Sequence, residues 1–254
     1  MKRISIFLFF ALTLVGMHHA HAQGLRVGDR AWYTVRGGLF AGVNQSFHNG
    51  DVPLIPAADN VFYADGNSTN FIFGVHGEKA VTRHLVLGLR ITFDQMSGDM
   101  DGQFKDPFRI ADPTDPRIVY DLVRDQTVEY TLQYLSVGAY GKLYPLGGPG
   151  LFLSGGFHVA TLIKDDFSHS ATIIEPEWAM GASATSLTGE IEDVNGMRYA
   201  ASAGLGYDFY FRYGFLSPQV MYEFGLSEVI DASYADSWKI DNVRFVVDLT
   251  FPIP

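Results

Sequence analysis

Cysteine is absent from all 254 residues, which rules out a disulfide framework and any thiolate metal site, so stability has to come from the fold itself. Long apolar runs are almost absent too. Only Ile4 to Val15 qualifies, and it falls short of the ~20 residues a helix needs to cross a bilayer. Beyond it no stretch of about 18 apolar residues remains, which excludes transmembrane helices. Basic charge is scarce and unclustered, with Lys+Arg 18 against Asp+Glu 28 and a net charge of -10. Nucleic acid is therefore not an expected partner.

What the chain has in quantity is glycine, at 27, and aromatics, at 14%. Both favour a β-rich fold with many turns and close backbone approaches. At the N-terminus Lys2 and Arg3 precede the apolar run, and Ala20 and Ala22 close a small-x-small pattern. This reads as a secretory signal peptide over residues 1–22, cleaved before Gln23. Residues 23–254 then form one domain outside the cytoplasm, where a membrane protein without helices has to be a barrel.

The stretch from Thr127 to Lys164 organises the reading. Two arms rich in Tyr, Leu, Val and Phe flank Pro-Leu-Gly-Gly-Pro-Gly, which is turn chemistry. In the second arm Leu151, Leu153, Phe157 and Val159 alternate with Phe152, Ser154, Gly156, His158 and Ala160, a period of two. The same alternation recurs at Arg30 to Phe47, Asn70 to Glu78, His84 to Asp94, Met197 to Phe209, Phe215 to Phe224 and Ile240 to Phe251. Eight strands result. Their connections run long, short, long, short, long, short, moderate, the long ones being His48 to Ser68, Gln95 to Gln126 and Asp165 to Asn195. A short helix near Arg117 to Arg124 is the most the second of these is expected to contain. In an up-and-down sheet such alternation puts all short turns on one rim, as in transmembrane barrels. The fold class expected is all-β, an eight-stranded antiparallel up-and-down transmembrane β-barrel.

One face of each strand is nearly pure apolar, while the other mixes glycine with charges of both signs. Abundant Lys and Glu would mark a water-facing surface of a soluble, lipocalin-type barrel. Glycines such as Gly74, Gly88 and Gly206 suit a crowded interior instead. With the mixed face turned inward, an interior polar network is expected from Arg36, Arg90, Glu129, His158, Arg198, Glu223, Arg244 and Asp248, packed with Phe40 and Phe152. Between Thr127 and Lys142 the parity is expected to slip near Gln133 and Tyr134, a bulge being the simplest account. Trp32, Tyr33, Tyr130, Tyr134, Tyr199, Tyr207, Tyr222 and Phe251 are expected near the two membrane interfaces.

TLQYLSVGAYGKLYPLGGPGLFLSGGFHVATLI, the Gly-rich opening Arg36-Gly-Gly-Leu-Phe-Ala-Gly-Val-Asn and the closing run Val243 to Phe251 together resemble the outer-membrane β-barrel domain of Bacteroidetes-type bacteria, the PorT-like group. That domain is similar in architecture to OmpA/OmpX-type eight-stranded barrels. The resemblance implies a bacterial outer-membrane location and no common catalytic residues.

No catalytic, cofactor or metal site emerges. Ser154 and His158 share a face, but four residues along a strand span roughly 13 Å, beyond hydrogen-bond reach. Asp99-Met-Asp101-Gly and Asp112-Pro-Thr-Asp115 lack the spaced ligands of a calcium loop. The expectation is a structural or surface-interaction protein with a plugged interior and no catalysis. Its partners would be outer-membrane lipid and lipopolysaccharide, the barrel-assembly machinery during insertion and an unidentified ligand of the external loops. A small channel or carrier for apolar solutes and a lipid-modifying outer-membrane enzyme are the alternatives.

Overall fold

A computed structural model describes residues 32–49, 66–179, 183–190, 194–230 and 238–253. The signal peptide expected at residues 1–22 lies outside them. All described residues but Trp32 belong to one unit, Tyr33–Pro254.

Strands β1 (Val35–Asn49), β2 (Gly66–Ala80), β3 (Leu85–Ala111), β4 (Val119–Leu143) and β5 (Leu151–Glu175) run in chain order. They are followed by β6 (Ser183–Gly189), β7 (Met197–Tyr207), β8 (Phe209–Phe211), β9 (Gly214–Gly225) and β10 (Lys239–Pro252). Each of β1 to β5 pairs antiparallel with the next, β5 continues to β7, β7 to β9 and β9 to β10. The closing pair is β10 with β1, from Arg36↔Pro252 to Asn49↔Lys239. The fold is therefore an eight-stranded antiparallel barrel in which no ring strand has a free edge. β6 is an addition to it, paired with β5, and β8 continues the register of β7 on β9. β8 is set apart because Pro218 has no N–H to give. The ladder stops at Gly206↔Gln219 and resumes at Phe209↔Leu216, and Asp208 donates its N–H to Gly150 at 2.9 Å instead.

The short connections gather on one rim. Gly148 donates to Arg83 at 2.7 Å and Tyr144 to His84 at 2.8 Å, which ties the β4–β5 turn to the β2–β3 turn. Gly147 and Gly148, at φ 71° and 82°, hold the left-handed backbone that lets this turn close without a Cβ clash.

The alternation faces as the residues demand. Leu39, Val43, Phe71, Phe73, Leu89, Ile91, Val137, Leu205 and Val247 are exposed outside, whereas Arg36, Asn44, Glu223, Asn242 and Asp248 are fully buried inside. Interior glycines make room for large neighbours. A Cβ on Gly88 would lie 2.5 Å from the Tyr140 ring, and one on Gly206 2.3 Å from the Phe152 ring. Gly88→Val should therefore overpack the interior and destabilise the barrel by about 1–3 kcal/mol, measurable by urea unfolding in lipid vesicles; an unchanged midpoint would mean that Tyr140 swings away freely.

Three expectations need correction. Gln95 to Gln126 is not a loop, and residues 119–124 are strand rather than helix: β3 and β4 stay paired out to Ala111↔Val119. Likewise β5 continues to Glu175 and β6 follows within Asp165 to Asn195. Both faces of these extensions carry polar residues, so the ladder persists where the hydrophobic alternation that signals a strand has ended. Third, β4 keeps its parity throughout. The bulge sits in β5, where Gln133↔Lys164 is followed by Tyr134↔Leu162 and Ile163 has no partner on β4. Tyr130 and Tyr134, at 2% and 1% exposed, consequently point inward and do not belong to an interfacial belt. Tyr199, Tyr222 and Phe251 are outward and exposed.

Candidate functional site

Large side chains fill the barrel interior in layers. Nearest the short-turn rim, Lys142 of β4 is buried among three carboxylates, with Nζ 3.1 Å from Glu78, 3.7 Å from Asp248 and 4.0 Å from Asp208. Arg36 of β1 reaches Glu78 at 2.9 Å and lies over the Phe215 ring at 4.6 Å. The Tyr140 hydroxyl donates to Glu78 at 2.9 Å and the Tyr144 hydroxyl to Asp208 at 2.7 Å. Arg90 reaches Asp248 at 3.2 Å, the Gln219 amide donates to the same carboxylate at 2.8 Å, and the guanidinium lies over the Phe40 ring at 4.4 Å. His76 meets the Thr250 hydroxyl at 2.9 Å.

Above this layer Phe40, Ile72, Met221 and Val246 form a buried apolar cluster, and beyond it a second charged layer centres on Glu223. Arg198 lies 2.8 Å from Glu223, His158 lies 3.1 Å from it, and Arg244 bridges it to Asp94. The Asn242 amide donates to Glu223 at 2.9 Å, and Arg198 also donates to the Ile240 carbonyl at 2.9 Å. Arg36, Arg90, Lys142, Arg198 and Arg244 face Glu78, Asp94, Asp208, Glu223 and Asp248. Five cations thus balance five anions, and that balance makes their burial tolerable. Outermost, Tyr130, Tyr134, Met96, Leu132 and Trp238 belong to an apolar cluster.

Of the residues expected inside, Arg36, Arg90, His158, Arg198, Glu223, Arg244 and Asp248 are brought together in these two layers. Glu129 is not. It points outward and is exposed, paired with Asp99 on β3 and Ser168 on β5, because β4 does not slip parity and Tyr130 takes the inward position. Lys142 and Asp208 are interior residues that sequence reasoning missed. An unbroken even-numbered parity along β4 would have found Lys142, whereas Asp208 falls between strands, where alternation has no meaning.

Outside the ring, β3, β4, β5 and β6 continue as a projecting sheet whose tip is the turn at residues 112–118. There the Asp112 carboxylate accepts from the Thr114 N–H at 2.7 Å, the Thr114 hydroxyl at 2.6 Å and the Asp115 N–H at 3.2 Å. These donors, the Thr114 hydroxyl foremost, hold its pKa below the usual carboxylate value. A folded pKa below the unfolded one means the turn gains its order above the unfolded value and loses it as pH falls through the lowered one. An NMR titration of the Asp112 carboxyl should show a midpoint under the ordinary aspartate value. A midpoint at or above it would contradict the turn geometry.

No protein-family model and no curated protein matches the sequence. Among solved structures the fold is similar to Ail, the attachment invasion locus protein of Yersinia pestis, at 13% identity and a TM-score of 0.39 over 86% of this chain and 99% of that one. It is also similar to Neisserial surface protein A, at 9% identity and a TM-score of 0.39 over 85% of this chain and 97% of the other. A further similar structure is the outer membrane protease OmpT from Escherichia coli, at 8% identity and a TM-score of 0.33 over 87% and 97% of the two chains. The expectation that the chain is not an enzyme is corrected on that last finding. A protease stands among the similar structures, and the enzyme status of the chain is unresolved. The likeness is one of outer-membrane barrel architecture, and the role of none of these proteins passes to this chain.

Proposed function

We propose that the protein is an integral outer-membrane barrel whose interior is closed by its own side chains and which displays the β3–β6 sheet as a surface-interaction element. One observation carries this reading: the usual burial pattern is inverted, with charged residues fully buried and large apolar side chains exposed around the ring. Only a hydrocarbon surround makes that arrangement favourable, since every ring strand also has both its neighbours to satisfy its backbone. β7, β9 and β10, at 11, 12 and 14 residues, meet the ~9–11 that a tilted strand needs to cross a membrane. β3, β4 and β5, at 27, 25 and 25 residues, far exceed it on the rim opposite the short turns.

Outer-membrane lipid and lipopolysaccharide form the surround, and the barrel-assembly machinery is the route of insertion after signal-peptide cleavage near Ala22. The motifs around TLQYLSVGAYGKLYPLGG support placement in the PorT-like group. Purified protein in a planar bilayer should show no steady porin-like conductance, because eight strands leave room only for side chains and the paired layers occupy it. Reproducible conductance from the monomer would put the channel reading first. Tags inserted at Thr114 and after Glu177 should be labelled on intact cells, and one at Pro149 only after permeabilisation. The reverse pattern would invert the topology.

A further inference from the structure

The outermost interior layer differs from the two charged ones in how it is filled. The walls there are apolar: Met96 from β3, Val128 and Leu132 from β4, Ala160 from β5 and Ile240 from β10 are all buried. The ring strands do not close this cup by themselves. Val229, Ile230 and Trp238, which lie between β9 and β10 and belong to neither, are buried in the same cluster. Among the described residues few hydrogen bonds hold them there, one of them within the group, from the Val229 N–H to the Trp238 carbonyl at 2.9 Å. The Trp238 indole N–H donates to His48 Nδ1 at 3.2 Å, the Asn195 N–H donates to the Val229 carbonyl at 2.7 Å, and Val194↔Ile230 is a single bridge. The ring ladders around them run to many consecutive pairs. Below, the Asp94, Arg244, Glu223 and Arg198 layer forms a floor, so the cup leads nowhere.

A second observation points to a ligand. The Tyr130 side chain is 2% exposed, and its hydroxyl has no hydrogen-bond partner among the described residues. Two further inward tyrosines nearer the short-turn rim, Tyr140 and Tyr144, donate to Glu78 and Asp208. The Tyr130 hydroxyl instead rests over Gly98, where a Cβ would lie 2.1 Å away, on the inner side of β3 one alternate position beyond Met96. A buried donor without an acceptor is disfavoured unless something else supplies the oxygen.

We propose that this cup is a binding site for an amphiphile made of a hydrocarbon chain and a hydrogen-bond-accepting head, with the chain replacing Val229, Ile230 and Trp238 against the apolar walls and the head oxygen accepting from Tyr130. The site goes beyond the closed-barrel reading, since occupation of the cup leaves the charged floor intact and opens no path through the membrane.

The test uses the full-length barrel released from detergent for native mass spectrometry, with dodecanoate as the probe. Dodecylammonium, which has the same chain and a head that cannot accept, is the second arm. Heat-modifiable gel migration confirms that each variant is folded. Wild type should give a one-to-one dodecanoate adduct. Trp238→Ala should tighten binding about tenfold, because a competitor for the cup is gone. Tyr130→Phe should weaken it at least about tenfold, the factor that a hydrogen bond to a charged carboxylate is worth, with no effect on dodecylammonium. Adducts of equal abundance in all three proteins would place the probe on the lipid-facing surface and overturn the site. So would the lack of any adduct in folded Trp238→Ala, or equal loss of both probes in Tyr130→Phe.

Discussion

Replacing Glu223 with leucine should lower the stability of the barrel by about 3–5 kcal/mol, the range for removing one partner of a buried ion cluster. Glu223 is fully buried and shared by Arg198, Arg244 and His158, with the Asn242 amide donating to it as well. Arg244 keeps Asp94 and Arg198 keeps the Ile240 carbonyl, but the interior would then hold five cations against four anions. The cost comes from the stranded charge rather than from lost contacts. The double variant Glu223→Leu with Arg198→Leu should therefore be less destabilised than the sum of its single variants, because it restores neutrality. Urea unfolding in lipid vesicles, followed by tryptophan fluorescence, measures both. A loss under about 1 kcal/mol for Glu223→Leu would mean that water reaches this layer and screens it.

Arginine at position 247 is the second large effect. Val247 is 46% exposed and pairs with Ala41 on one side and Pro218 on the other, about midway along β10. In hydrocarbon that position should cost about 2–4 kcal/mol when it carries arginine. On a water-facing surface the same change would be near neutral, so the experiment separates a membrane barrel from a soluble one. Val246→Arg is its companion. Val246 is 1% exposed and packs with Phe40, Ile72 and Met221 between the charged layers. An arginine there is both oversized and unpaired, and folded yield in vesicles should fall further than for Val247→Arg. A smaller loss for Val246→Arg than for Val247→Arg would mean that the faces of β10 are assigned the wrong way round.

The sequence by itself determined the strand-based fold, the number of ring strands and which face of most strands is apolar. These follow from a local rule: side chains alternate every second residue, so Leu39, Phe71, Leu89 and Val247 declare their face without reference to any other strand. It determined as well that one rim carries the short turns, since connection length is a property of the chain alone. Where hydrophobic alternation ended, so did this legibility. The outer halves of β3, β4 and β5 read as loops because their residues are polar on both faces, and only the ladder of backbone bonds between them makes them strands. The bulge at Ile163 was decided by how β5 pairs with β4, and with it the parity that turns Glu129 out and Tyr130 in. Partner choice inside the barrel was likewise beyond the sequence. Arg90 and Asp248 are far apart in the chain, as are Asp94 and Arg244, and they meet because closure and strand register bring β3 opposite β10 across the interior. A local alternation says that a charge points inward, but only the closed ring says which opposite charge it finds there.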